Sequence, residues 1–158
     1  DQIMTPRTVT FTLSQSLTVA ETLAQHGTFR FSRIPVHGEN PDELTGVVLK
    51  HEIYEAALNS NAIARLEELK RDLRFIPETA TALRAFDEFA STGGHIFAVV
   101  AERGTFVGIV TLEDVIESIL GKEIVDETDE VPDLWHLAAQ QLERSPKLMP
   151  KPEGLDAR

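Results

Sequence analysis

An α+β fold of two pseudo-symmetric halves, each a small sheet with flanking helices and packed through their sheets, is predicted by three features of the sequence. The first is a repeat. "GVVLKHEIYEAAL" from Gly46 and "GIVTLEDVIESIL" from Gly108 share Gly, Val, Glu and Leu in register and match in polarity at most other positions. Self-similarity of this kind marks a duplicated structural unit. The second is the order of elements upstream. "RFSRIPVHGENPDELTGVV" and "HIFAVVAERGTFVGIV" each read as a β-rich run, a polar turn and a second short strand. The third is a helical pattern before each hairpin. A small three-stranded unit cannot bury both faces alone, so the two copies are expected to pack on each other.

Along the chain, Val19 and Leu23, with Ala20, mark a helix between Leu17 and His26. The first hairpin and the helix after Gly46 complete a half over residues 1–60. Residues 61–74, "NAIARLEELKRDLR", form a charged connector in which Ile63, Leu66, Leu69 and Leu73 recur at helical spacing. The second half, residues 75–130, like the first reads strand, helix, strand, strand, helix, with its first helix marked by Leu83, Phe86 and Phe89 and ended by Gly93-Gly94. Its hairpin turns at Ala101-Glu102-Arg103-Gly104. Its last helix carries Val115, Ile116, Ile119 and Leu120 as one apolar stripe, with Gly121 as the stop. Those four residues are wider than one small sheet can cover, which suggests a face for association. Residues 131–158 are read as a short helix, capped by Asp133 and carrying Leu134, Leu137, Ala138 and Leu142, followed by a proline-bearing disordered tail.

Length and charge narrow the function. With 158 residues the chain can bury a real core, and no apolar run approaches the roughly 20 residues that span a bilayer. The formal charge of −11, from 26 acidic and 15 basic residues, argues against nucleic acid and against anionic membrane surfaces. The absence of cysteine removes disulfides, thiolate catalysis and Cys-ligated zinc. The chain opens on "DQIMTPR" without an initiator methionine and is expected to be a piece of a longer protein. No phosphate loop and no G-x-G-x-x-G occur; "LGKE" at 120–123 reads as a helix end. The histidines at 26, 37, 51, 95 and 136 lack the spacing of a zinc hydrolase. The acids at 113, 114 and 117 read as a solvated or cleft-lining helix face rather than an acid–base pair.

The stretch with most chemistry is Thr111-Leu112-Glu113-Asp114. A Thr followed three residues later by an acid, ahead of an apolar-periodic run, is a capping-box pattern. The same two side chains could instead hold a ligand. A carboxylate accepts hydrogen bonds from vicinal hydroxyls, and free N–H groups at a helix start favour phosphate. The two readings are partly compatible.

"MTP" near the start, "FSRIPV" in the first half and "GIVTLEDVI" in the second, in this order of elements, resemble a tandem pair of CBS domains, the Bateman module. "FSRIPV" with "GIVTLEDVIESILGKEIVDETDE" is more narrowly similar to the cytosolic CBS pair of the CorC/cyclin M (CNNM) family of membrane proteins implicated in magnesium and cobalt transport. The likeness runs over about residues 2–130. It implies that Thr111 and Asp114 contact the ribose of an adenine nucleotide. It places Phe31, Ser32, Arg33 and Pro35 against the base, His95 and Ile96 near phosphate, and Thr5, Arg7 and Thr8 as a closing edge. Phe31 reads equally as core packing, Arg33 as a phosphate ligand or an exposed strand residue, and His95 as a loop histidine after Gly93-Gly94. The pseudo-equivalent positions in the first half are Leu49 and Glu52. Leu49 has no hydroxyl and Glu52 is one methylene longer than Asp, so one nucleotide per chain is expected.

The implied cofactors are ATP, or AMP or ADP, with Mg²⁺ held through the nucleotide phosphates. A divalent cation relieves the repulsion between a triphosphate and a chain of charge −11. The implied partners are a second copy of the chain and the transmembrane domain of the same parent chain, at the cytoplasmic face of the membrane, with no nucleic acid. The expected role is a cytosolic regulatory module of a magnesium/cobalt transport protein and not an enzyme. The competing readings are a dimerisation scaffold without nucleotide and a soluble nucleotide hydrolase.

Overall fold

The computed structural model describes residues 3–121. The chain enters through a two-residue strand, β1 (Thr5–Pro6), and a 3-10 turn, Arg7–Val9. The first half follows as β2 (Leu13–Ser14), α1 (Val19–Gln25), β3 (Arg33–His37), β4 (Leu44–Leu49) and α2 (Lys50–Leu58). A single helical turn, α3 (Leu66–Leu69), leads to the second half: β5 (Arg74–Pro77), α4 (Ala82–Thr92), β6 (Ile96–Val100), β7 (Phe106–Thr111) and α5 (Leu112–Leu120). The short helix expected from Asp133, the tail and the acidic run after Glu123 lie outside the described residues.

Local chemistry sets the helix limits. Thr18 caps α1 with a capping box: its hydroxyl accepts from Glu21 N–H at 3.1 Å, and Glu21 Oε2 accepts from Thr18 N–H at 2.9 Å. The Thr81 hydroxyl accepts from Arg84 N–H at 3.2 Å to start α4. Gly93, at φ 66°, ends α4 in the left-handed conformation that favours glycine.

Among the described residues two sheets result, ordered β2-β3-β4 and β1-β7-β6-β5. In each, a parallel pair (β2 with β3, β5 with β6) adjoins an antiparallel hairpin (β3 with β4, β6 with β7). Three cores hold them. Val19, Ile34, Val48 and Ile53 are fully buried between the first sheet and its helices. Phe89, Phe97, Val110 and Val115 do the same in the second half, with the Phe89 and Phe97 rings stacked at 3.9 Å between centroids. Between the sheets lie Leu44, Val47, Leu73, Ile96, Ala98 and Phe106. The halves therefore pack through their sheets, as the sequence predicts.

One pairing crosses the sequence boundary between the halves. β1 does not join the first sheet. It runs antiparallel to β7, with Thr5 opposite Ile109 and Pro6 opposite Gly108. Reciprocally, Arg71 bridges to Val47 on β4 through two backbone hydrogen bonds of 3.0 and 2.8 Å. This exchange explains why the repeat preserves glycine. A Cβ on Gly108 would lie 2.4 Å from Thr5 O, and one on Gly46 would lie 2.7 Å from Arg71 O. Each glycine lets the crossing backbone close on its strand.

Two sequence expectations change. The connector over 61–74 is not one helix: only Leu66–Leu69 is helical, a turn lies at Ala62-Ile63, Arg65 and Arg71 make isolated bridges, and Arg74 begins β5. Leu66 and Leu73 are buried, whereas Ile63 is 85% exposed, so the apparent helical stripe does not share one buried face. The apolar stripe of α5 also divides. Val115 and Ile116 are buried in the second half's own core, and only Ile119, 48% exposed, faces outward among the large residues of that stripe.

Candidate functional site

A cleft of about 380 Å³ opens where the two sheets meet at the start of α5. Its walls include Thr5 on β1, Val9 to Phe11 after it, Phe31, Ser32, Arg33 and Pro35 leading into and along β3, His95-Ile96 at the start of β6, and Thr111 and Asp114 at the start of α5. The pairing registers bring these together, since Ile96 lies opposite Thr111 and Thr5 lies opposite Ile109.

The capping reading of Thr111 and Asp114 holds in full. Asp114 N–H donates to Thr111 Oγ1 at 3.3 Å, and Thr111 N–H donates to Asp114 Oδ2 at 3.1 Å. Both side chains are half-buried and both line the cleft. The box uses one carboxylate oxygen, and Oδ1 has no protein donor among the described residues. Capping thus fixes the carboxylate in place and leaves an acceptor beside the cleft.

The mirror position in the first half is built differently. Leu49 starts α2 without any side-chain cap. Glu52 is engaged in an ion pair with Arg71, whose pKa is raised by that hydrogen bond and charge. Its Oε1 is therefore engaged from within the chain.

Of the residues singled out from sequence, Thr5, Phe31, Ser32, Arg33, Pro35, His95, Ile96, Thr111 and Asp114 all line the cleft. Thr8 does not. It sits exposed in the 3-10 turn rather than in a strand, and the turn brings Val9 and Thr10 to the cleft instead. Arg7 likewise turns away, pairing with Asp42 at 2.9 Å. Phe31 is 49% exposed, so it is not core packing; Arg30 lies over its ring at 5.6 Å. Pro35 and Ile96 are buried and form an apolar floor.

The cleft-lining reading of Glu113 agrees with its place in the wall, while sequence reasoning missed Val9, Thr10, Phe11, Arg30 and Ile109 as wall residues. Ile109 was within reach, because the period of two along β7 puts it on the same face as Thr111. The others reach the cleft through irregular backbone that carries no periodic signal.

The donor set suits a nucleoside: a fixed carboxylate for hydroxyls, a half-exposed ring and an apolar floor for a base, and Arg33 and His95 for an anion. The CBS domain family matches residues 1–59 and 66–121 of the chain. The chain is a CBS-domain pair. The CBS pair is 34% identical over 139 residues to a UPF0053 protein of Synechocystis, covering 88% of this chain and 40% of the relative. It is 32% identical over 132 residues to the magnesium and cobalt efflux protein CorC of Escherichia coli, covering 84% of this chain and 45% of that protein. The chain therefore spans less than half the length of these curated relatives. Among solved structures, it is similar to the CBS domain of a bacterial CNNM/CorC family Mg²⁺ transporter in complex with ATP. That match has a TM-score of 0.69 and 32% identity, over 75% of this chain and 84% of the other. The pair is of the CNNM/CorC type, as "FSRIPV" and "GIVTLEDVI" suggest. No helix among the described residues is long and apolar enough to cross a membrane.

Proposed function

We propose that this CBS pair binds one adenine nucleotide, ATP with Mg²⁺ in preference to free ATP, and acts as a non-catalytic regulatory module of a membrane magnesium/cobalt transport protein. The observation that carries the reading is the convergence of Asp114, with its uncommitted Oδ1, and of the aromatic and cationic residues chosen from sequence, in one cleft. Asp114 and Thr111 would hold the ribose, Phe31, Pro35 and Ile96 the base, and Arg33 and His95 the phosphate end. The ATP complex of the related CNNM/CorC CBS domain supports the nucleotide class. No group of three or more His, Asp or Glu side chains suited to a metal ion occurs among the described residues. Mg²⁺ would accordingly be held chiefly by phosphate oxygens and water, which lowers the charge entering an acidic chain.

In this reading the module works as a homodimer at the cytoplasmic face, joined to the transmembrane domain of its parent chain. Exposed Leu83 on α4 and Ile119 on α5 offer an apolar surface for the second copy. Binding would favour one arrangement of the dimer by no more than the nucleotide's differential affinity for the two arrangements.

Isothermal titration with ATP, ADP and AMP, each with Mg²⁺ and with EDTA, tests the proposal. The expected result is one site per chain, with ATP binding strengthened by Mg²⁺. Absence of heat and of thermal stabilisation with all three nucleotides would leave the scaffold reading. Release of product during incubation would point to a hydrolase.

A further inference from the structure

A second cleft, of about 270 Å³, adjoins the first and shares Arg33, His95 and Ile96 with it. Its remaining charged walls are Arg71, Arg74 and Asp72. Three arginines and a histidine around one opening are unexpected in a chain of net charge −11. Arg71 is committed to Glu52, but Arg33, His95 and Arg74 hold no ion-pair partner among the described residues. Uncommitted arginines beside a histidine that can donate a hydrogen bond, gathered at one opening, are an anion-binding feature.

This cleft lacks what a second nucleoside would need. Leu49 offers no hydroxyl, and Glu52, paired through Oε1 with Arg71, is not among the walls. What it has is position. At one end of the second sheet the strands lie in the order β7, β6, β5, with Thr111 opposite Ile96 and Arg74 opposite Phe97. Two inter-strand steps of roughly 4.8 Å put the backbone of Arg74 about 10 Å from that of Thr111. The intervening strand presents His95, and the facing sheet presents Arg33. Charge thus changes sign along the row, from Asp114 and Glu113 at one end to Arg74 at the other.

Building on the nucleotide reading above, we infer that the two clefts form one channel that reads phosphate number. A nucleoside anchored at Asp114 would extend its phosphates past Arg33 and His95 toward Arg74, so Arg74 is a specificity-determining residue that separates tri- from monophosphate. AMP would end before it.

The test is titration of wild type, Arg74→Ala and Arg74→Lys with AMP and with ATP, both with Mg²⁺ and with EDTA. Arg74 is exposed, so its replacement leaves the fold intact, which thermal melting checks. Arg74→Ala is expected to weaken ATP by about tenfold, as for loss of a charge-assisted phosphate contact, with AMP unchanged. Arg74→Lys should recover most of the ATP affinity. Equal losses for ATP and AMP, or no loss for either, would overturn the channel while leaving the nucleotide site standing. Failure of wild type to bind AMP and ATP alike would remove the nucleotide reading and the channel with it.

Discussion

Replacing Asp114 with Ala removes two different things, and the geometry lets them be measured apart. One is the Oδ2 contact from Thr111 N–H at 3.1 Å, half of the capping box that starts α5. Losing a cap of this kind costs about 1 kcal/mol, which corresponds to roughly 2–4 °C in melting temperature for a chain of this size. The other is Oδ1, the acceptor left for a ribose hydroxyl. A hydrogen bond to a charged group contributes about 1.5–3 kcal/mol, so nucleotide Kd should rise about 10- to 100-fold. Asp114→Asn separates the two further. Its amide oxygen can still accept from Thr111 N–H, so the melting temperature should stay near wild type while binding falls by an intermediate amount. Titration calorimetry and thermal melting on the same preparations provide both readouts. If Asp114→Ala lowers the melting temperature and leaves ATP affinity unchanged, the carboxylate only caps the helix, and the ligand role assigned to it is wrong.

Gly108→Ala should destabilise the fold by about 1–3 kcal/mol, because its Cβ would meet Thr5 O at 2.4 Å and no side chain can move aside. Gly27→Ala, with nothing within 4 Å, is the control, and denaturant melts compare the two. Ile119→Glu should give a folded monomer by light scattering, since Ile119 is 48% exposed, whereas Val115→Glu should unfold the chain. A monomeric wild type at the same concentration would refute the dimer. Glu52→Ala should leave AMP affinity at the wild-type value by titration, because its carboxylate is turned to Arg71.

Much of this architecture was legible because it is periodic or local. The recurrence from Gly46 and Gly108 gave the two hairpins and the helices that follow them, and the Thr111-x-x-Asp114 spacing gave the box at the start of α5. Departures came where long-range pairing overrides local pattern. Nothing in "MTPRT" says that Thr5 pairs with Ile109 rather than with a strand of its own half. A two-residue strand has no alternation to detect, and its partner is chosen by the absence of a side chain at Gly108. In the connector, Leu66 and Leu69 do lie on one helical turn, but the extended backbone around Arg71 places Leu73 in the inter-sheet core by strand geometry. The resemblance placed Thr8 at the cleft's closing edge, but the strand there stops at Pro6 and Thr8 falls in the 3-10 turn after it. Val115 and Ile116 were expected to serve association, although the second half needs them for its own interior. From sequence, an apolar stripe reveals that it is covered but not by what.

The crossing of β1 onto β7 has a bearing on how the molecule matures and fails. The partners are about a hundred residues apart, so this contact closes a long loop and gains little until the second sheet exists. Thr5 is also a wall of the cleft, so the proposed nucleotide pocket is completed only when β1 docks on β7. Competence to bind then reports finished folding rather than partial collapse. Without β1, the outer rim of β7 would present unpaired N–H and C=O groups beside a glycine that carries no side chain to guard it. A bare edge of that kind is a template for another chain's strand. The first strand therefore both finishes the pocket and shields a sheet edge that would otherwise recruit neighbouring molecules.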